Sequence, residues 1–225
     1  MRAIFLTLAI SSLFSPCLGQ KKLRIPAWSF HDRNTNIVGL SVGFDTQDSM
    51  NVNSYGVRIE IPGSGWLSPV IGSSPISDDE KDFQDLKSTD LSEKIYGINV
   101  SATGSLFCSC SVNGLNINGI GNIYHEVKGI TVTGIVNYTF VHQGVQITGG
   151  GNANYKMNGL SLSLLGNHAL RMNGVQITAL TNHANHARGV QIGLYNKSND
   201  LRGVQLGLWN VNQKRKLPFI NWAFK

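Results

Sequence analysis

The sequence is poor in charge, and acids become scarce towards its end. Charged residues make up only 14% of the chain, and from Gly97 onward ten lysines and arginines face only two acids, Glu126 and Asp200. No Ser-His-Asp set or pair of carboxylates stands in a suitable context. The glycines do not indicate a phosphate-binding loop, because they are periodic. Aromatic residues do not alternate with the bases as on a nucleic-acid platform. We therefore expect no catalytic residues, no cofactor and no nucleic-acid partner.

Long hydrophobic runs are also missing, apart from one near the N-terminus. Arg2 is followed by an apolar stretch over 3–14, and Cys17-Leu18-Gly19 supplies a small-residue cleavage pattern. The stretch is shorter than the roughly 20 residues that a membrane-spanning helix needs. This order of segments predicts a signal peptide over residues 1–19, and hence export.

Cysteine is rare, with three residues in the whole chain. Cleavage would remove Cys17 and leave Cys108 and Cys110, which point to the same face of a strand because they are two residues apart. The simplest interpretation is a pair of small semi-buried side chains, with a local disulfide as the alternative after export. Two cysteines alone do not complete a metal site.

A repeat dominates the rest of the sequence. Glycines fall 15 residues apart, and each begins an aliphatic-polar-aliphatic triplet such as Val175-Gln176-Ile177. With the glycine as position zero, an asparagine recurs at position eight. The periodic glycines are Gly114, Gly129, Gly144, Gly159, Gly174 and Gly189, followed 14 residues later by Gly203, with looser copies at Gly39, Gly56 and Gly97.

The spacing of the special positions predicts the architecture. Positions 1, 3, 6, 8, 11 and 13 advance by two and then by three, which fits short strand pieces that each turn a corner. We therefore predict an all-β fold, a repetitive parallel β-solenoid with three-faced coils of about 15 residues. In this prediction the aliphatics at positions one and three form the core, and the asparagines at position eight stack inside. The position-two residues would form an outward polar ladder.

An antiparallel β-barrel or meander is the alternative, because apolar-out and polar-in alternation is also typical of outer-membrane strands. The predicted domains are the signal peptide, an N-terminal β segment over 20–96, a repeat β domain over 97–210 and a C-terminal cap over 211–225. The β segment carries an acidic insertion loop over 62–93, where 78–86 could form one or two helical turns.

The last repeats resemble a known family. Gly189–Asn196 (GVQIGLYN), Gly203–Asn210 (GVQLGLWN) and the Leu217–Trp222 ending are similar to a bacterial family of surface-repeat proteins, as is Cys108–Gly114. The resemblance implies export to the cell surface, outer membrane or periplasm of a bacterium. It implies no catalytic or binding residues, since the family has no assigned activity.

The candidate binding residues are therefore taken from charge and periodicity. We expect a structural or interaction module that binds a periodic or anionic polymer such as envelope polysaccharide, with membrane association as a further option. A regular ladder of amides suits a periodic partner, and bases attract an anionic one. The expected binding residues are Lys156, Arg171, Arg188, Arg202, Gln146, Gln176, Gln191 and Gln205.

Two histidines share one position of the repeat. His168 and His183 are 15 residues apart, so their imidazoles should approach each other in stacked coils. A metal shell would need a further ligand such as a carboxylate, and no acid lies in those coils. The sequence therefore predicts no metal site. His125 and His142 take apolar positions and are expected at the edge of the core.

Overall fold

The computed structural model describes residues 21–29, 32–44, 50–68, 70, 74–87 and 89–224; the expected signal peptide lies outside these residues. The elements in this part of the chain are a 3-10 turn (Gly65–Leu67), helix α1 (Glu80–Lys87) and strands β1 (Lys22–Arg24), β2 (Ala27–Ser29), β3 (Thr35–Gly43), β4 (Val52–Glu60), β5 (Glu93–Ser101), β6 (Cys110–Asn118), β7 (Gly121–Thr133), β8 (Val136–Thr148), β9 (Gly151–Ser163), β10 (Gly166–Thr178), β11 (Thr181–Ile192), β12 (Tyr195–Val211) and β13 (Lys216–Ala223).

The strands stack in parallel, each on the one before it. From β3 to β12 every strand pairs in parallel with the next, and the glycines of the repeat are direct register partners, as Gly174 and Gly189 are. This is the predicted β-solenoid, and the antiparallel alternative is excluded for the repeat region. Among the described strands only β13 runs antiparallel, and it pairs with the last strand of the stack. The C-terminal residues thus cover the open end of the solenoid, where an unpaired edge would otherwise remain.

Each turn of the solenoid bends three times. The strands break at positions five and six, the register skips position eleven, and the glycine at position zero has a positive φ. The outward residues therefore form three faces. We name them the aliphatic face (outward positions one and three), the helix-covered face (outward positions nine and eleven) and the basic face (outward positions twelve and fourteen).

The glycine at position zero is required by both conformation and space. Gly174 has φ +135°, and a Cβ built on it would lie 2.0 Å from the carbonyl oxygen of Gly159 in the preceding turn. Any side chain would therefore collide with the stack as well as strain the backbone. This requirement recurs in each turn, which explains why the glycine period is the clearest signal in the sequence.

The predicted orientation of the aliphatic triplets is wrong. Gln146 is 0% exposed whereas its neighbour Ile147 is 41% exposed, and the same holds around the solenoid. The polar residues at position two lie in the core, and the aliphatics at positions one and three point to solvent. The buried members of this supposed outer ladder are Asn116, Thr131, Gln146, Ser161, Gln176, Gln191 and Gln205.

The error has a simple cause in strand geometry. Side chains alternate along a strand with a period of two, and this alternation continues through the bend at position zero. Positions 13, 0, 2 and 4 therefore all point inward, and the glycine is an inward position without a side chain. The prediction had assumed that the glycine corner reverses the alternation, and so it placed positions one and three inside.

Hydrogen bonds between turns make the polar core possible. Asn152 donates to Oδ1 of Asn167 at 3.0 Å, and Asn167 donates to Oδ1 of Asn182 at 3.0 Å. Identical amides in register satisfy each other from turn to turn, as in other stacked parallel sheets. The inward asparagine ladder at position eight is thus confirmed. It consists of Asn122, Asn137, Asn152, Asn167, Asn182, Asn196 and Asn210.

The acidic insertion does not project from the solenoid. Phe83 of α1 stacks on Tyr155 with 5.4 Å between ring centroids, and Tyr155 in turn contacts the ring of Phe140. Ile76, Phe83 and Leu170 are buried in the same cluster. The insertion therefore covers the apolar residues at positions nine to eleven of the middle turns, which is why this face is the helix-covered face.

Candidate interaction surfaces

The aliphatic face is the most extensive feature of the exterior. Both outward positions are aliphatic in all ten turns, and none of these side chains is buried. The two rows consist of Leu40, Val42, Val57, Ile59, Ile98, Val100, Leu115, Ile117, Ile130, Val132, Val145, Ile147, Leu160, Leu162, Val175, Ile177, Val190, Ile192, Val204 and Leu206. With strands about 4.8 Å apart, ten turns make a stripe roughly 43 Å long.

Strand β13 extends this face with aromatic residues. Trp222 lies opposite Val204 and Ile220 opposite Leu206, and both Trp222 and Ile220 are exposed. Phe224 follows at 70% exposure. Soluble monomers rarely expose continuous apolar patches larger than a few hundred Å². The twenty side chains of its two rows, none of them buried, make the aliphatic face a continuous apolar patch of this unusual kind.

The chain covers one face and leaves this one bare. In the described residues, the insertion buries Phe83 and Ile76 against the helix-covered face, while no segment packs over the rows at positions one and three. The apolar residues of the insertion thus cover the helix-covered face. The aliphatic face is therefore open to solvent along its length in the described residues.

The basic face gathers three of the four predicted bases. Lys156, Arg171 and Arg188 line one cleft of about 480 Å³, together with the amides of Asn158 and Asn173. The fourth base, Arg202, is the register partner of Arg188 in the next turn. The proximity of these bases could be predicted from their spacing in the sequence, because the repeat places residues of the same position side by side in adjacent turns.

Acids neutralise only part of this cleft. Arg171 forms an ion pair with Glu80 of α1 at 2.8 Å, and His186 lies 3.3 Å from Asp200. Within the described part of the chain, Lys156, Arg188 and Arg202 have no ion-pair partner. The cleft therefore keeps a positive field and offers amide donors beside it, which are the groups that an anion needs.

The four predicted glutamines do not belong to this or any other surface. Gln146, Gln176, Gln191 and Gln205 are buried and bond to one another or to core side chains. As binding residues they are therefore wrong, for the same reason of alternation that inverts the triplets. Their role is to hold adjacent turns together.

One ligand-like cluster was not predicted. His168 and His183 stack with 5.1 Å between ring centroids, and Asp78 from the insertion lies 3.0 Å from Nε2 of His168. The repeat spacing predicts that the two histidines meet but not that the carboxylate joins them, because Asp78 is 90 residues away from His168 along the chain. Only the docking of the insertion brings the three together.

Other buried polar groups have structural roles. Arg58 bonds to Glu60 at 2.7 Å and to Glu93 at 3.0 Å in the interior. Burial by itself would lower the pKa of Arg58, but attraction by Glu93 and Glu60 raises that pKa above its ordinary value. Cys108 and Cys110 form a disulfide next to this cluster. These groups are buried in the interior of the solenoid.

Two further findings concern the helices of the described residues and the similarity of the chain to known proteins. Neither helix in the described part of the chain combines the length and apolar character that crossing a bilayer requires. Comparison with protein-family models, curated proteins and solved structures gives no significant match. The functional proposals therefore rest on the geometry of the three faces.

Proposed function

We propose that the protein is an exported, non-enzymatic interaction module of a bacterial envelope that lies on a lipid surface through its aliphatic face. The observation that supports this most is the inverted triplet: apolar rows outside and amide ladders inside. A soluble solenoid with no partner would need the opposite arrangement. Two continuous aliphatic rows are instead suited to an apolar environment along the whole length of the solenoid.

The charges beside the face favour a lipid surface with anionic headgroups. Position fourteen directly precedes the glycine that begins the aliphatic face, and it carries the exposed bases Lys128, Arg188 and Arg202. At the C-terminal end, Lys214 and Lys216 flank the exposed aromatics of β13. Aliphatics with bases and aromatics at their margin are typical of surfaces that lie in the membrane interface.

The hydrophobic contribution is large enough for stable binding. If about 400 Å² of the stripe is buried, transfer contributes roughly 10 kcal/mol at about 25 cal/mol per Å². The cost of losing translational and rotational freedom offsets a large part of that gain. The bases add long-range attraction that weakens as salt increases.

Vesicle flotation tests this proposal. We expect the chain without residues 1–19 to float with vesicles of phosphatidylethanolamine and phosphatidylglycerol, and less with neutral vesicles. The triple variant Ile130→Ser, Val132→Ser, Ile147→Ser should lose most of the binding. The control replaces two apolar residues outside the face that are even more exposed, Val70→Ser and Phe107→Ser, and should float like the original chain.

Sedimentation distinguishes a second copy from lipid as the occupant of the face. If the protein forms dimers that the triple variant abolishes, and vesicles of either composition fail to bind it, the face is a self-association surface and the lipid proposal is wrong. Equal flotation of the triple variant and the control would also contradict it.

The basic face supports a second candidate function, binding of an anionic polysaccharide. This second function is supported by the cleft that Lys156, Arg171 and Arg188 form, with Arg202 continuing the row. We expect weak, salt-sensitive binding of a polyuronate and none of neutral dextran. Replacement of Lys156, Arg188 and Arg202 by Gln should abolish this binding. Replacement of Lys81 and Lys94, which lie outside the cleft, should not.

A further inference from the structure

Three potential metal ligands meet where the insertion docks on the solenoid. Asp78 lies two residues before the start of α1, and His168 and His183 are register partners on β10 and β11. One ligand atom from each residue lies within 4.8 Å of the others. Two nitrogen or oxygen ligands of one tetrahedral zinc ion, at about 2.0–2.1 Å each, lie about 3.4 Å apart. Small side-chain adjustments therefore bring all three to bonding distance.

The site contains a nitrogen without a partner. Nε2 of His183 is buried and has no hydrogen bond within the described structure, while Nε2 of His168 already contacts the Asp78 carboxylate. A buried ring nitrogen without a partner is costly.

We propose that Asp78, His168 and His183 bind a zinc ion, which fastens the acidic insertion to the solenoid. Two imidazoles and one carboxylate form a ligand set that zinc accepts, with water completing the shell. The set has too few oxygens to favour Ca²⁺ or Mg²⁺. The site bridges two adjacent turns and the insertion, so the ion would join three segments that are distant in sequence.

The surroundings already hold Asp78 near the ligand position. Nδ2 of Asn185 donates to the carbonyl oxygen of Asp78 at 3.4 Å, and the Arg171–Glu80 ion pair anchors the start of α1. Lys197 is the register partner of His183 and opposes a cation by its charge. The Asp78 carboxylate supplies a negative charge at 3.0 Å from Nε2 of His168. Zinc must therefore compete with one ammonium group, which sets a moderate affinity.

Zinc titration of the folded chain with a chelating dye tests the proposal. We expect one zinc per chain, with dissociation in the micromolar range or below, and no competition from millimolar Mg²⁺. His168→Gln or His183→Gln should weaken zinc binding by about 100-fold, and Asp78→Asn by about tenfold. Zinc should also slow proteolytic cleavage of the insertion in the original chain and not in these variants.

Matched controls separate the site from ordinary surface binding. His186→Gln and Asp79→Asn alter a neighbouring histidine and a neighbouring acid that lie outside the cluster, so zinc affinity should stay unchanged. The Asp78 side chain is exposed, so we expect Asp78→Asn to preserve the fold. Circular dichroism checks this. Equal affinity in the three ligand variants and the two controls would overturn the proposal, as would dissociation weaker than 100 µM in the original chain.

Discussion

Gln191 donates its side-chain amide to Oε1 of Gln176 at 2.9 Å across two adjacent turns of the solenoid. The pair shows how a core with few large apolar side chains is held together. Gln176, Gln191, Gln205 and the position-eight asparagines each have a copy one strand away, so the repeat supplies the bond that offsets their desolvation cost. The same repetition places aliphatic residues on the outside of every turn.

The inverted triplet predicts opposite outcomes for neighbouring substitutions. Gln146→Ala removes the partner of Asn137 (2.8 Å) and of Ser161 (2.8 Å) in the core. We expect it to lower the free energy of unfolding by about 2–3 kcal/mol, through unpaired polar groups and a cavity. Ile147→Thr, on the exposed face, should change it by less than about 1 kcal/mol. Urea unfolding compares the two, and equal losses would contradict the assigned orientation.

The stacked glycines predict a second contrast. Gly174→Ala combines a left-handed backbone with a carbonyl oxygen 2.0 Å from the new Cβ, so we expect a loss of more than about 3 kcal/mol. Gly151→Ala is the control, because the nearest atom lies 3.3 Å away and the backbone is ordinary. It should cost less than about 1 kcal/mol. Thermal or urea midpoints that shift alike would show that position zero tolerates a side chain.

His142 predicts how stability depends on pH. Burial lowers the pKa of His142 to about 4, compared with about 6.5 in an unfolded chain. Between these values the unfolded chain binds the extra proton, so the contribution of His142 is present above pH 6.5 and is lost as the pH falls towards 4. The loss amounts to at most about 3 kcal/mol.

His142→Met tests this dependence with a residue that the fold already uses. Position thirteen holds Met157 and Met172 in the following two turns, and both are buried. The variant should be as stable as the original at pH 7.5 and should decline less between pH 6.5 and 4. Parallel pH profiles of unfolding free energy for the two proteins would contradict the role of His142.

The docked insertion predicts local instability when its aromatic anchor is removed. Phe83→Ala deletes a ring that stacks on Tyr155 and is 7% exposed. We expect the insertion to become susceptible to protease while the amide ladders of the solenoid stay protected from hydrogen exchange, since the ring packs in the separate hydrophobic cluster around Tyr155. Gln84→Ala on the exposed side of α1 is the control. Loss of protection throughout the ladders would show that the insertion is part of the folding unit.

Much of the fold could be predicted from period and composition. Gly174 and Asn167 reveal their roles because each turn repeats the same steric and hydrogen-bonding requirement, so chance cannot imitate them. The direction of Ile177 could not be obtained in this way. Its triplet reads the same whichever side faces inward, and the decision depends on whether the alternation continues through a glycine bend.

The sites were predictable only where the repeat itself creates them. Lys156 and Arg171 share a repeat position, so their proximity follows from the stacking of turns. Asp78 has no repeat position, and the face on which its segment docks depends on where Phe83 finds aromatic partners. The repeat spacing therefore predicts that the two histidines lie together. It does not predict the carboxylate of Asp78, which comes from the insertion.

The near-identity of successive turns also makes pairing ambiguous by a whole turn. A nascent chain that aligned Gly174 with Gly203 would still match glycine with glycine and Gln176 with Gln205, so local pairing alone distinguishes poorly between neighbouring registers. Contacts that belong to a single turn resolve this ambiguity. Phe83 meets one tyrosine and Glu80 meets one arginine, and β13 pairs only with β12. The insertion and the antiparallel end strand thus select the correct register of the turns as well as covering them.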